Sequence, residues 1–364
     1  MKVAIIGAGL AGLACAHELE YMGIVPDLYE KNSFIGEAYN HSTAMIRILD
    51  HPPGGNYFKY FSEKLHLDIT PLFTVKRIMH HSPTKRLMVK GNNLGFFFLR
   101  ANTGDSVKNQ ICSSLKKTRV FLNTLADIHT LQKKYDYVVV ATGSMLFARE
   151  LGLSHAWFSG YVHAAVVHGN FDTNRVDFWI NHHYCKTGYA YLTPFSERKA
   201  SIILVTADTN EKDLIEYWKA FLYYENINYP IVEEFTQLHI SGFVYPKVLD
   251  NLIFAGLAGG SIDPFLGFGQ FNSLCMGVFA ARTIAEGKNY HKQCSGIIKK
   301  NLQLYQLRRG FNNMENMGYD RLIGMMRMPG IRTFLYKTPI NLLPVGSGIL
   351  KKILDKKNNC HPLR

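Results

Sequence analysis

Six residues near the N-terminus, Gly7-Ala8-Gly9-Leu10-Ala11-Gly12, have the types and spacing to hold a pyrophosphate. In this pattern Gly7 permits a tight turn, Gly9 lets the backbone approach the phosphates, and Gly12 lets a helix pack against the strand before it. Eighteen residues past Gly12 stands Glu30, followed by Lys31. A carboxylate at that distance accepts hydrogen bonds from a ribose hydroxyl, and it disfavours a 2′-phosphate. A second glycine-rich stretch, "FAGLAGGSIDPFLGFGQ" from residue 254 to 270, contains Gly267-Phe268-Gly269 and an acid, Asp263, directly before Pro264. It is also built for close backbone approach.

The elements that must position these residues are legible around them. Val3 to Ile6 is an apolar, mostly β-branched run that enters the first glycines, and a helical pattern follows from Leu13 to Met22. Gly23 ends the helix, and a second strand, Val25 to Tyr29, leads into Glu30. Strand, glycine turn, helix and terminal acid together make a dinucleotide fingerprint, with the phosphates at the helix N-terminus. Further on, "YDYVVVATGS" (135–144) reads as a buried strand ending in Ala141-Thr142-Gly143. Before it, "LRANTGDSVKNQICSSLKK" opens with Arg100 and predicts a helix from about Ser106, with "RVFLNT" as a strand. A run from Phe271 to Ile284 predicts the helix after the second glycine-rich stretch.

This order resembles the FAD-binding domain of two-dinucleotide flavoproteins. The resemblance implies that the Ala-Thr-Gly strand lies beside the fingerprint strand, with Thr142 and Gly143 near the cofactor, and that Arg100 reaches it. A second glycine fingerprint would mark a separate NAD(P)H domain. Gly346-Ser347-Gly348 follows Pro344 without a strand and reads as a turn. The second glycine-rich stretch resembles the closing segment of the geranylgeranyl reductase branch of the flavoprotein hydroxylase superfamily. That segment usually reads G-D-A-A-G-x-x-x-P-x-x-G-x-G, and here it runs from Gly256 to Gly269 without a gap. The resemblance implies that Gly267, Phe268 and Gly269 lie against the flavin and that the next helix points its N-terminus at it. One departure is serious: the family's ribityl-binding Asp is Leu257 here. Two roles are open to Asp263. It replaces the missing contact or faces the flavin, or it is a loop acid that caps the helix. "GYAYLTPFSERKASIILV" (188–205) resembles the family's G-Y-x-W-x-x-P segment, with Tyr191 where Trp is common. As bare sequence it is two alternating strands joined near Ser196 to Lys199.

The resemblance implies an α/β fold in three parts. A discontinuous Rossmann-like FAD-binding domain takes residues 1–40, 95–150 and 245–290. A mostly antiparallel β-sheet substrate domain takes 41–94 and 151–244, and a basic helical region takes 291–364. It implies FAD as cofactor, with NAD(P)H or another donor as external reductant. It also implies reduction or dehydrogenation of a hydrophobic, isoprenoid-like substrate by hydride transfer. Two alternatives stay open: a flavin monooxygenase hydroxylating a small aromatic or lipid substrate, and a non-redox cyclase-like or degenerate flavin-binding protein.

Within the insertions, residues 57–65 predict a helix, and 72–100 read as three strands with turns at Ser82-Pro83 and Gly91-Asn92-Asn93. Glu211 to Tyr224 predicts a helix capped from Asp208-Thr209-Asn210. Catalytic candidates are few. His41 and Arg47 follow the fingerprint unit and would serve as proton donor and anion contact, against the bland reading of a loop histidine and a surface arginine. Tyr191 is a third. His80-His81 reads as a solvated turn and His182-His183 as a strand end, neither with an acid or Cys nearby to complete a metal set.

Composition bounds the rest. The chain has 364 residues, 47% hydrophobic and 19% charged, enough for two domains with cores. Its six cysteines are scattered without a CxxC pair, as expected of reduced structural thiols. Of the net +13, residues 299–364 carry 13 Lys and Arg against three acids. That basicity, interleaved with helical apolar spacing, suits either a helical cap on the core or peripheral contact with an anionic membrane surface. Nucleic acid is not expected, since the body is nearly neutral and no recognition motif is present. No apolar run reaches the ~18 residues a spanning helix needs, so a cytoplasmic protein, at most lying on a membrane, is expected.

Overall fold

The computed structural model describes residues 1–36, 39–47 and 55–337. The expected turn at Gly346-Ser347-Gly348 and the last basic segment lie outside them. The chain begins with β1 (Val3–Ile6), α1 (Leu10–Tyr21), β2 (Asp27–Tyr29), β3 (His41–Ile46), α2 (Tyr57–Leu65), β4 (Phe73–His81) and β5 (Arg86–Arg100). It continues through α3 (Val107–Ser114), β6 (Arg119–Phe121), α4 (Ile128–Lys134), β7 (Tyr137–Val140), α5 (Leu146–Glu150), β8 (Ser154–His168) and β9 (Arg175–Trp179). Next come α6 (His182–Cys185), β10 (Tyr189–Pro194), β11 (Lys199–Ala207), α7 (Glu211–Tyr224), β12 (Ile231–Val244), β13 (Val248–Leu249) and β14 (Leu252–Phe254). A 3-10 turn, Gly256–Gly259, precedes α8 (Gln270–Glu286), α9 (Tyr290–Asn312), α10 (Asn316–Met326) and α11 (Pro329–Lys337).

One sheet has the order β13-β14-β7-β1-β2-β6. It is parallel from β14 to β6, with β13 antiparallel at the edge. β1 and β7 are buried on both faces, which is why both read as continuous apolar runs. α1 and α8 cross on one face with small residues between them. A Cβ at Gly277 would lie 2.2 Å from the carbonyl oxygen of Ala11. α2 joins the same core through Tyr57, Phe61 and Leu65, spaced one turn apart. Its apolar stripe finds aromatic partners there, Phe96 and Phe271. This helix therefore packs on the nucleotide side, although it lies in a segment expected to build the substrate domain.

The other sheet has the order β12-β8-β11-β10-β9-β4-β5-β3, antiparallel except for the β4–β9 pair. Trp218 and Phe221 of α7 cover one face. The opposite face meets Phe268 of the closing loop and Leu304, Ile323 and Met326 of the C-terminal helices. The sheet curls strongly. Ser42 of β3 donates its N–H to Ser201 Oγ (2.9 Å) and accepts from Thr193 Oγ1 (2.6 Å), although β3 lies at the far end of the strand order.

Three local readings are corrected. Gly91-Asn92-Asn93 is not a hairpin turn: residues 91–94 bulge within one long β5, opposite Lys76 of β4. β5 then continues in this sheet to Arg100, past the boundary expected near residue 95. His80 and His81 end β4 and are enclosed rather than solvated. His81 bonds Asp177 at 2.8 Å and stacks on Trp179, and His80 bonds the Tyr336 hydroxyl at 2.7 Å. β9 and α11 bring these partners from far along the chain. His182 and His183 open α6 instead of ending a strand, with Asn181 as its cap.

Candidate functional site

The first glycine turn is shaped by sterics. Gly7 has φ +101°, and a Cβ there would lie 2.3 Å from the carbonyl oxygen of Ala141, so β1 and β7 approach with no room for a side chain. A Cβ at Gly12 would lie 1.9 Å from the carbonyl oxygen of Gly7, so α1 rests directly on the turn. At Gly9, by contrast, an added Cβ meets nothing within 4 Å. Gly9 is also the N-cap of α1, with no side chain bonded to the helix's first N–H groups. Those N–H groups have no intrahelical acceptor and lie at the positive end of the helix dipole. Leu10 and Ala11 begin this helix.

Glu30 directly follows β2 beside the turn and is buried. Its carboxylate accepts the N–H of Ala8 (2.9 Å) and that of Asn32 (3.0 Å). Each oxygen keeps a further lone pair, so the acid fixes the turn and can still accept a ribose hydroxyl. Lys31 is exposed. Gly143 follows Thr142 at the end of β7 with φ +69° and open space beside it. Lys108, a residue not singled out in the sequence, lies buried on α3 beside the same turn. Its Nζ donates to Asn102 Oδ1 at 2.6 Å, and its stem crowds Gly36 next to the Ala8 carbonyl. A lysine in a helix is normally solvated, so nothing local marks it.

A cleft opens where the two halves meet. Leu10 of α1 and Gln270 and Leu274 of α8 line one side, and Thr43, Phe98 and Arg100 line the other. Gln270 Nε2 donates to Thr43 Oγ1 at 2.7 Å and ties the halves together at its edge. His41 and Arg100 are directly opposite each other across the β3–β5 pair, so two sequence candidates share one face. Arg47 lies past the other end of β3, ~20 Å along the strand from His41. These two candidates are not brought together. Tyr191 on β10 is half-buried, with its ring 6.0 Å from Phe178 and 6.1 Å from Tyr189. Burial pushes its phenol well above the ordinary range, and the charge of Arg100 acts in the opposite direction.

The closing loop is held from both sides. Asp263 is 4% exposed. Its Oδ1 accepts the N–H groups of Phe265 and Leu266 (both 2.8 Å), and its Oδ2 accepts that of Phe268 (2.7 Å). These bonds go to the loop and not to the first turn of α8. That helix begins at Gly269 without a side-chain cap. Leu257 packs beside Met145, Phe147 and Phe254. From the other side comes Arg308 of α9, 1% exposed. It donates to the carbonyls of Pro264 (3.1 Å), Phe265 (3.0 Å) and Thr187 (2.5 Å), with its plane 4.9 Å from the Phe158 ring centre. Tyr189 donates to the Leu266 carbonyl, and His239 Nε2 faces Gly267. Burial first, then the charge of Arg308, lowers His239 to about 4. Tyr189 could have been found from its alternation with Tyr191. Arg308 sits in a basic helix and looks like a surface charge.

No group of three His, Cys, Asp or Glu among the described residues could hold a metal ion. Burial raises Cys185 to about 12 and Cys294 to about 11, and pushes Cys15 higher still.

Comparisons with known proteins agree with this geometry. Residues 5–67 match the family described as NAD(P)-binding Rossmann-like domain. Over nearly the whole chain, the fold is similar to that of a geranylgeranyl bacteriochlorophyll reductase-like protein from Thermoplasma acidophilum. The TM-score is 0.71 at 16% identity, covering 96% of this chain and 94% of that one. It is also similar to a flavin-dependent brominase, with TM-score 0.66, 15% identity and coverage of 99% and 100%. A flavoprotein/dehydrogenase from Cytophaga hutchinsonii has TM-score 0.60, 13% identity and coverage of 97% and 99%. At these identities the likeness establishes the fold.

Proposed function

We propose that this chain, which has the fold of the FAD-dependent flavoprotein superfamily, is an FAD-dependent oxidoreductase. Its substrate is hydrophobic and isoprenoid-like, and hydride passes between it and the flavin. One observation carries the reading: the N-termini of α1 and α8 border a single cleft whose other wall is the β3–β5 face with Arg100. The open side of Gly9, the uncapped start of α1 and the buried carboxylate of Glu30 have the chemistry to hold a dinucleotide.

FAD, when bound, supplies the ring that carries the hydride. The chain's own residues do the rest. The N–H groups opening α1 offset the charge of the diphosphate, and Glu30 accepts from the ribose. The positive end of α8 favours negative charge at its N-terminus, beside Gln270. Phe98, Leu274 and Leu10 keep water from the cleft. Tyr191 keeps its proton under burial, with the charge of Arg100 easing its release, and Tyr191→Phe tests whether it serves as the proton donor. NAD(P)H would act as an external donor.

The absorption spectrum of the purified protein, before and after adding FAD, tests the reading. A flavin spectrum that NAD(P)H or dithionite bleaches anaerobically, and that recovers on adding an isoprenoid alkene, supports it. Protein that stays colourless and gains no flavin spectrum overturns it. Fast oxygen consumption with NAD(P)H would mark a monooxygenase instead.

A further inference from the structure

The C-terminal helices carry a surface that the cleft does not use. α10 buries Tyr319, Ile323 and Met326 against the sheet side. Its opposite side presents Met317, Arg321 and Met325, with Met328 just past its end. These positions follow i, i+4, i+8 and i+11, so they form one stripe. Met317, Met325 and Met328 are 62%, 56% and 57% exposed. Singly exposed apolar residues need no explanation, but two aligned on one helix with a third just past its end do.

The charge around the stripe is positive. Arg321 stands within it, and Arg327 lies beside it, donating to the Arg86 carbonyl at 2.8 Å. Lys85 reaches over from the β4–β5 hairpin, and a Cβ at Gly324 would lie 2.8 Å from its Nζ. The acid of this helix, Asp320, accepts from Ser82 Oγ (2.6 Å), Thr84 N–H (3.0 Å) and Thr84 Oγ1 (2.8 Å) and lies in the field of Lys85, so Arg321 and Arg327 carry the positive charge of the stripe. Glu315 stands outside the stripe, at the helix start. Residues 338–364 add five Lys and Arg against one acid. A second copy of this face would bring the same charge.

We propose that this face of α10 docks on an anionic lipid bilayer. The methionines enter the boundary between headgroups and acyl chains, and the cations meet lipid phosphates. The same helix touches the inner face of the sheet through Ile323 and Met326. The sheet's apolar wall then stands about one helix diameter, ~10 Å, from the bilayer surface. The proposal does not rest on the cofactor reading, because bilayer binding is measured without flavin.

Co-sedimentation of the full chain with vesicles tests it, comparing phosphatidylcholine alone with phosphatidylcholine mixed with phosphatidylglycerol. Binding to the mixed vesicles, weakened by salt, is expected. Arg321→Gln should lower it about fivefold. Met317→Gln with Met325→Gln should lower it further, all with unchanged melting temperatures. Equal binding to both vesicle types, or variants that bind as the parent does, overturns the proposal. A dimer in light scattering that Met325→Gln dissolves would also overturn it, by assigning the stripe to a second copy.

Discussion

Asp263 and Arg308 grip the two edges of one loop: the carboxylate takes its N–H groups and the guanidinium takes its carbonyls. The charges also stabilise one another, since Asp263 is among the groups that favour the charged form of Arg308 against burial.

Asp263→Ala would leave three N–H groups, of Phe265, Leu266 and Phe268, without this acceptor. At about 1–3 kcal/mol for each buried group left unsatisfied, a loss of about 3 kcal/mol or more is expected in urea unfolding. FAD affinity should fall with it, read by flavin fluorescence titration. A fall in affinity with unchanged stability would instead mean that the acid touches the cofactor.

Arg308→Lys is not conservative here. A single ammonium cannot reach the carbonyls of Thr187, Pro264 and Phe265 together. The expected cost is about 2 kcal/mol or more, and Arg308→Met should cost at least as much. Calorimetry of both variants checks the order.

Gly12→Ala and Gly9→Ala should separate fold from cofactor. The Gly12 methyl has no space at 1.9 Å from a carbonyl oxygen, so stability should fall by about 3 kcal/mol or more. The Gly9 methyl points into open space. Gly9→Ala should therefore fold normally yet bind FAD at least tenfold more weakly. Unchanged affinity for Gly9→Ala would move the phosphates away from this turn.

Acid should destabilise the protein through two histidines. His80 is lowered from 6.5 to about 4 by burial and then by the charge of His81, and His239 is lowered to about 4. As pH falls from about 6.5 toward 4, the unfolded chain takes up protons that the folded chain refuses. Stability is therefore full above that window and is lost through it, by about 1–3 kcal/mol per histidine. Urea unfolding at pH 7 and near pH 4.5 measures the slope, and His239→Leu should reduce it.

What was legible in the sequence was local. The glycine turn and Glu30 lie within one unit of chain. α2 and α7 have their predicted limits because stripe and cap sit side by side, as with Asn210 before Glu211. What escaped depends on partners far along the chain. His80 and His81 flank a turn and look solvated until Asp177, Trp179 and Tyr336 close on them. The bulge at 91–94 is set by the register of β4, and the role of Arg308 by a loop 44 residues earlier. The bonds of Asp263 to three loop N–H groups depend on where its oxygens point, which no spacing reveals.

The order of the first sheet has a consequence for synthesis. β1 and β2 leave the ribosome first, but β1 needs β7 as its other neighbour, and β7 in turn needs β14 at residues 252–254. The dinucleotide turn is thus among the first parts made and among the last completed. β1 gains β7 only once residues 137–140 have emerged, the outer edge of β7 stays open until β14 is made, and non-local pairing of this kind is slow. Nascent chains should therefore lean on chaperones through most of translation, and stalled fragments ending before β14 should aggregate.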